Sequence, residues 1–146
     1  MNASPAALAA LSLAVTLGLD PARAAAQPSG LTRTPVLKAD VAAPGNEAVV
    51  MRVEVAPGGA AGRHTHPGDE ISYVLEGEGQ LLIDGERPRT LKAGEAFVVP
   101  AGKVHDARNP GKAPMRLVGV YVVEKGKPLA TPASAPLQTP VEAGGR

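Results

Sequence analysis

From Leu31 to Glu124 apolar residues alternate with polar ones or run in short bursts, and turn residues interrupt them every eight to twelve positions. Helical spacing of apolar residues is hard to find in this stretch. In Ala48–Val55 the side chains of Val49, Met51, Val53 and Val55 share one face and Arg52 and Glu54 the other, which predicts a half-buried strand. Glu70–Glu76 is β-branched and aromatic, with Ile71, Tyr73 and Leu75 opposing the face of Glu70. Gln80–Ile83 and Glu86–Leu91 flank Asp84-Gly85, which predicts a hairpin closed by a type I′ turn. Ala96–Val99 and Val104–Asn109 predict short strands stopped by Pro100 and Pro110. Met115–Val123 is apolar on both faces and predicts a strand buried on both. Turn clusters at Ala56–Gly59, Glu76–Gly79, Lys92–Gly94, Pro100–Gly102 and Asn109–Lys112 separate these runs. Eight or nine strands without a crossover helix predict an all-β fold, a small antiparallel sandwich or barrel.

The ends read differently. Ala6–Leu19 is uncharged and Ala-rich, and small residues follow at Ala22, Ala24 and Ala26. This predicts a signal peptide over residues 1–26 and a periplasmic or secreted protein, the alternative being an Ala-rich helical or disordered leader. The uncharged run is too short for a membrane span, which needs about 20 residues, so no span is expected after cleavage. Residues 27–46 read as an N-terminal arm with a possible edge strand around Thr34–Asp40, and residues 47–124 as the barrel. Residues 125–146 carry Pro128, Pro132, Pro136 and Pro140 and predict an extended or disordered tail.

Composition narrows the chemistry. The absence of Cys in 146 residues excludes disulfides, thiolate metal sites and a cysteine nucleophile. A net charge of +1 supplies no global field for nucleic acid. Only Tyr73, Phe97 and Tyr121 are aromatic, a thin platform for stacking a sugar or flavonoid, so a small, polar, oxygen-rich ligand is favoured.

The three histidines fall in two glycine-punctuated segments. The first runs Gly58-(x5)-His64-x-His66-(x3)-Glu70-(x6)-Gly77; the second runs Gly94-(x5)-Pro100-x-Gly102-(x2)-His105-(x3)-Asn109. In a strand His64 and His66 project from one face, the turn pair Pro67-Gly68 lets Glu70 rejoin them, and His105 arrives from a separate hairpin. Three imidazoles and a carboxylate suit a divalent first-row metal with one or two positions left open. With every histidine so placed, no Ser/His/Asp triad is credible. Gly58, Gly77, Gly94, Gly102 and Pro100 read as turn formers, and Asn109 as a turn or strand-end residue that could also reach the cavity. Ser72 shares the parity of Glu70, as pocket lining or buried hydroxyl; Asp69 should face solvent, and Tyr73 should be core or interface. Arg52 is expected to point outward, with an anion clamp as the lesser alternative; Arg63 and Arg108 could rim the mouth but read as surface charge by default.

These segments resemble the two motifs of the cupin superfamily, G(x)5HxH(x)3,4E(x)6G and G(x)5PxG(x)2H(x)3N, matched at every named position over roughly Val49–Val123. The resemblance implies a double-stranded β-helix, or jelly-roll barrel, with one divalent metal (Fe, Mn, Ni, Cu, Co or Zn) held by His64, His66, Glu70 and His105. It further implies a small-molecule metalloenzyme, foremost a dioxygenase of an enol, phenol or diketone, with Glu70 as a candidate proton acceptor. An isomerase or lyase and a non-catalytic module that binds a metal or small ligand are the alternatives; a storage role fits poorly with a full ligand set. The two-faced apolar strand and the Ile71–Tyr73–Leu75 face lead to the expectation of a homodimer, the alternative being cover within the chain by the N-terminal strand around Thr34–Asp40.

Overall fold

The computed structural model describes residues 29–134, ten strands and no helix. The signal-peptide segment, most of the proline-spaced tail and the first residues of the arm lie outside the described residues. The strands are β1 (Ser29–Asp40), β2 (Asn46–Ala60), β3 (His64–Thr65), β4 (Gly68–Glu76), β5 (Glu78–Ile83), β6 (Arg89–Lys92), β7 (Ala96–Val99), β8 (His105–Arg108), β9 (Met115–Glu124) and β10 (Thr131–Pro132). All pairings are antiparallel. They form one curled sheet with two halves, β1-β2-β9-β4-β7 and β10-β3-β8-β5-β6. The halves join where the end of β2 meets β8, Ala60 opposite Arg108.

The joint corrects one expectation. Ala56–Gly59 is not a turn between strands but a bulge inside β2: Leu31 of β1 faces Val55 while Ser29 faces Ala60. Gly58 there has φ of 71°, a backbone conformation that a side chain strains, and the strand bends from one half of the sheet into the other. The Asp84-Gly85 turn also differs. Gly85 has φ of 83°, but no non-glycine among the described residues, Asp84 included, has a positive φ, so the turn is not type I′. Pairing in β6 starts at Arg89 rather than Glu86, because Pro88 has no N–H to give the ladder. β9 is fully buried on one face only; Arg116, Val118, Val120 and Val122 on the other face are half-buried, since no second layer among the described residues covers them. Tyr73 lies outside the core, 47% exposed beside Ile71, Leu75 and Val98.

The interior is aliphatic. Val53, Val55, Val74, Leu81, Leu91, Phe97, Val99, Met115 and Leu117 form one cluster. Val49, Tyr121 and Val123 form a second, with Met51 packing against both. Each comes from inward positions of alternating strands, so burying them drives the sheet to curl upon itself. Asn109 is buried at the end of β8. Its amide donates to the carbonyls of Val55 and Ala113, and its side-chain oxygen accepts from the N–H of Gly111. It is a strand-end tie and does not reach the cavity.

Candidate metal centre

His64 opens β3 directly opposite His105, which opens β8. Glu70 lies on β4 between Val99 of β7 and Tyr121 of β9. His66 sits in the link from β3 to β4, and its carbonyl accepts the N–H of Gly102 at 3.0 Å. Asp69 is exposed, as expected, and accepts the N–H of Ala101 at 2.9 Å. The Pro100–Gly102 turn is thereby tied to the HxH segment, which aligns the two halves of the site.

One potential ligand atom from each of His64, His66, Glu70 and His105 lies within 4.8 Å of the others, and all four residues are buried. The outer nitrogens are each fixed by a carbonyl: His64 Nδ1 to Gly62 at 2.7 Å, His66 Nδ1 to Leu129 at 2.5 Å, and His105 Nδ1 to Lys103 at 3.0 Å. Carbonyls only accept, so each Nδ1 carries its hydrogen and each Nε2 presents a lone pair inward in the neutral ring. The Nε2 atoms of His64 and His66 are then 3.2 Å apart with no proton between them. Glu70 Oε2 lies 3.1 Å from His66 Nε2 and 3.2 Å from His105 Nε2. Supplying those contacts with protons would place two imidazolium rings 5.1 Å apart in a buried chamber. Convergent lone pairs and one carboxylate are instead the donor set of a divalent metal ion, so the residues present fit one.

The electrostatics point the same way. Burial, above all, lowers the pKa of His64 to about 4, with the His105 charge next, so this imidazole is neutral at neutral pH. Burial would raise the Glu70 carboxyl, but the adjoining His105 and His66 imidazoles, with any proton they take up, and the hydrogen bond from Ser72 outweigh it and hold the group well below the usual carboxylate range. Ser72 donates to Glu70 Oε1 at 2.7 Å, which leaves Oε2 turned to the imidazoles. Ser72 is therefore a buried hydroxyl that orients a ligand atom.

Two residues near the cluster escaped sequence reasoning as site residues. Tyr121 lies with its ring 4.7 Å from that of His66. It has room because Gly119 has no side chain: a Cβ there would stand 2.7 Å from the tyrosine oxygen. Burial, then the Glu70 charge, pushes the Tyr121 phenol above its ordinary pKa, so it keeps its proton. Arg33 of β1 faces Val53 and lines a cavity of about 20 Å³ together with His64, Glu70, His105 and Tyr121. Only inward parity on β1 could have flagged Arg33, and that parity depends on register. The other candidate arginines stay away from the site. Arg63 pairs with both carboxylate oxygens of Asp84, Arg108 Nε with Asp106 at 2.7 Å, and Arg52 is exposed.

A curled antiparallel barrel with three histidines and a glutamate gathered inside it, a donor set that fits a metal ion, defines a class of protein. The sequence profile of the Cupin domain family matches residues 51–134, so the chain belongs to the cupin family. A germin-like protein (subfamily 2 member 2) of Arabidopsis thaliana is 40% identical over 75 residues, covering 48% of this chain and 34% of that one. The dimethylsulfoniopropionate lyase of Ruegeria pomeroyi is 38% identical over 55 residues, covering 38% of this chain and 27% of the lyase. The chain thus spans about a third of the length of the curated relatives it matches first. A cupin-like protein from Thermotoga maritima superposes with a TM-score of 0.62 at 21% identity, over 76% of this chain and 82% of that one, a likeness of fold alone.

Proposed function

We propose that this cupin binds one divalent transition metal through His64, His66, Glu70 and His105 and uses it to transform a small oxygen-bearing molecule. The observation that carries the reading is the set of three Nδ1–carbonyl hydrogen bonds, which turns three Nε2 lone pairs onto one point beside Glu70 Oε2. Iron, manganese, nickel, copper, cobalt and zinc are all compatible with imidazole and carboxylate donors. When bound, such an ion supplies Lewis acidity and, for the redox metals, reactivity toward O2. The chain's own residues orient the reactant. Ser72 holds Glu70, the protonated Tyr121 phenol can donate to a ligand oxygen, and Glu70 is the one carboxylate in place to accept a proton. The reading favoured here is dioxygenase-type turnover of an enol, phenol or diketone. Protein loaded with Fe or Mn should consume O2 with such a panel; fully loaded protein that consumes none on any member overturns it. A lyase reading is the second, favoured by the resemblance to the dimethylsulfoniopropionate lyase, and product analysis without O2 uptake would select it. A ligand that co-purifies without turnover, seen by native mass spectrometry, would instead select a binding role.

We also propose a homodimer formed through the outer face of β1-β2-β9-β4-β7. There Leu37 faces Val50, Val50 faces Val120, Val120 faces Ile71 and Ile71 faces Val98, an apolar row across all five strands. Four strands of about ten residues and the short β7, at about 4.8 Å spacing and about 3.4 Å rise, give a face of about 700 Å², close to what each partner of a stable pair contributes. At one end of the face Arg116 is paired with Glu54 and Glu76 within the chain, while Arg52 and Asp69 also lie on it, exposed and flanking the apolar row. Export to the periplasm or medium is proposed on residues 1–26 alone, and N-terminal sequencing of protein from its native host tests it; a chain beginning at Met1 overturns it.

A further inference from the structure

We propose that Arg33 is the anion-recognising group of this site and that its ligand is a small carboxylate with a second oxygen able to reach the His64–His66–Glu70–His105 cluster. This rests on the metal-binding reading above and deepens it by naming the ligand class.

Arg33 is half-buried on β1, at the inward position opposite Val53, and lines the cavity with His64, Glu70 and His105. Its charge bears on both His64 and Tyr121, and its one polar neighbour is the neutral Tyr121 phenol, within hydrogen-bonding reach, which leaves the charge itself without a counter-ion. No ion pair among the described residues includes it, whereas Arg63, Arg108 and Arg116 each hold a carboxylate. Glu70 is engaged by Ser72 and two histidines and is not within ion-pair distance of Arg33. A partly desolvated guanidinium with no carboxylate is costly unless an anion completes it, and its planar fork matches a carboxylate edge to edge. Charge balance agrees. A divalent ion, one glutamate and one arginine leave two positive charges in the chamber, and an anionic ligand offsets them.

Size sets a further limit. The chamber of about 20 Å³ has room for about one water molecule beyond the side chains. A pocket of about 420 Å³ lies next along the same inward rows, at Pro35 on β1, Met51 on β2 and Val123 on β9. A ligand of more than a few atoms would have to extend from the first toward the second, on the side where Arg33 gives way to Pro35 along β1.

The test uses the full chain loaded with Mn2+, with malonate and its neutral diamide malonamide as probes, and titration calorimetry and metal content as readouts. Wild type should bind malonate at least tenfold more tightly than malonamide. Arg33→Gln should keep stoichiometric Mn2+, weaken malonate at least tenfold and leave malonamide within twofold; Arg33→Lys should keep part of the malonate affinity. Equal malonate affinity in wild type and Arg33→Gln overturns the proposal, as does a wild type that binds both probes alike or neither. If Arg33→Gln does not fold, the malonate-to-malonamide ratio in wild type and Arg33→Lys decides, and a wild-type ratio below threefold overturns it. Wild type without Mn2+ overturns the metal reading separately, since malonate binding is read on its own axis.

Discussion

Strand β4 carries the two most different surfaces of the molecule on alternate residues. Glu70, Ser72 and Val74 point inward and are 6%, 1% and 0% exposed; Ile71, Tyr73 and Leu75 point outward and are 46%, 47% and 46% exposed. The inward face encloses polar groups among apolar ones, and the outward face leaves apolar groups in water. On the inner face every polar side chain of β4 has a partner, as desolvation demands. On the outer face nothing among the described residues covers the apolar row, which is why it reads as an interface while the inner face reads as a site. A pleated strand makes the two independent, so a change on one face should leave the other intact.

The largest break is expected on the inner face. His64→Ala or His105→Ala should lower metal affinity by more than about a hundredfold, since each removes a ligand itself where even outer partners matter tenfold or more. The circular dichroism spectrum should stay β-type; unchanged metal content by elemental analysis would mean the ligand assignment is wrong. On the outer face Ile71→Glu or Val98→Glu should shift the protein from dimer to monomer in light scattering while metal content stays the same. A monomer in the wild type removes the interface half of the comparison.

Smaller effects sharpen it. Ser72→Ala should weaken metal binding by about tenfold by freeing Glu70 to rotate, with the dimer untouched. Asn109→Ala should cost about 2–3 kcal/mol of stability in denaturant melts, because it strands the carbonyls of Val55 and Ala113 and the N–H of Gly111. Acidification gives the mildest test. His64 has its pKa lowered from 6.5 to about 4 by burial, so between those values the unfolded chain takes up a proton that the folded chain refuses. The unfolded state then binds more protons, and metal-free protein should lose stability as pH falls from 6.5 toward about 4. A melting temperature flat through that window contradicts a neutral, buried His64.

Much of this was legible along the chain, for reasons that are local. Period-two alternation in Val49–Val55 and the glycine and proline stops made an all-β barrel readable, because strand parity and turn chemistry act over a few residues. The spacing of His64, His66, Glu70 and His105 was readable for the same reason, as was the expectation that Asp69 faces solvent. The Asp84-Gly85 turn type was not, since Asp84 keeps a negative φ and the loop runs on through Pro88. The fate of Ala56–Gly59 was not either, because a bulge and a turn use the same residues and differ only in whether the chain keeps its neighbours.

By itself the sequence determined which atoms are available: three imidazoles, one carboxylate in register with them, no thiol, and a strand pattern that closes into a barrel. Tertiary structure alone decided how those atoms are prepared. Leu129 returns from beyond β9 to accept the His66 Nδ1 hydrogen, Gly119 leaves room for the Tyr121 ring, and β1 brings Arg33 to the chamber through its register with β2. The Leu129–His66 and Arg33–Val53 contacts join residues far apart in the chain, and the Gly119–Tyr121 arrangement matters only because β9 crosses the site. Their geometry follows from sheet closure and packing, which no local pattern encodes.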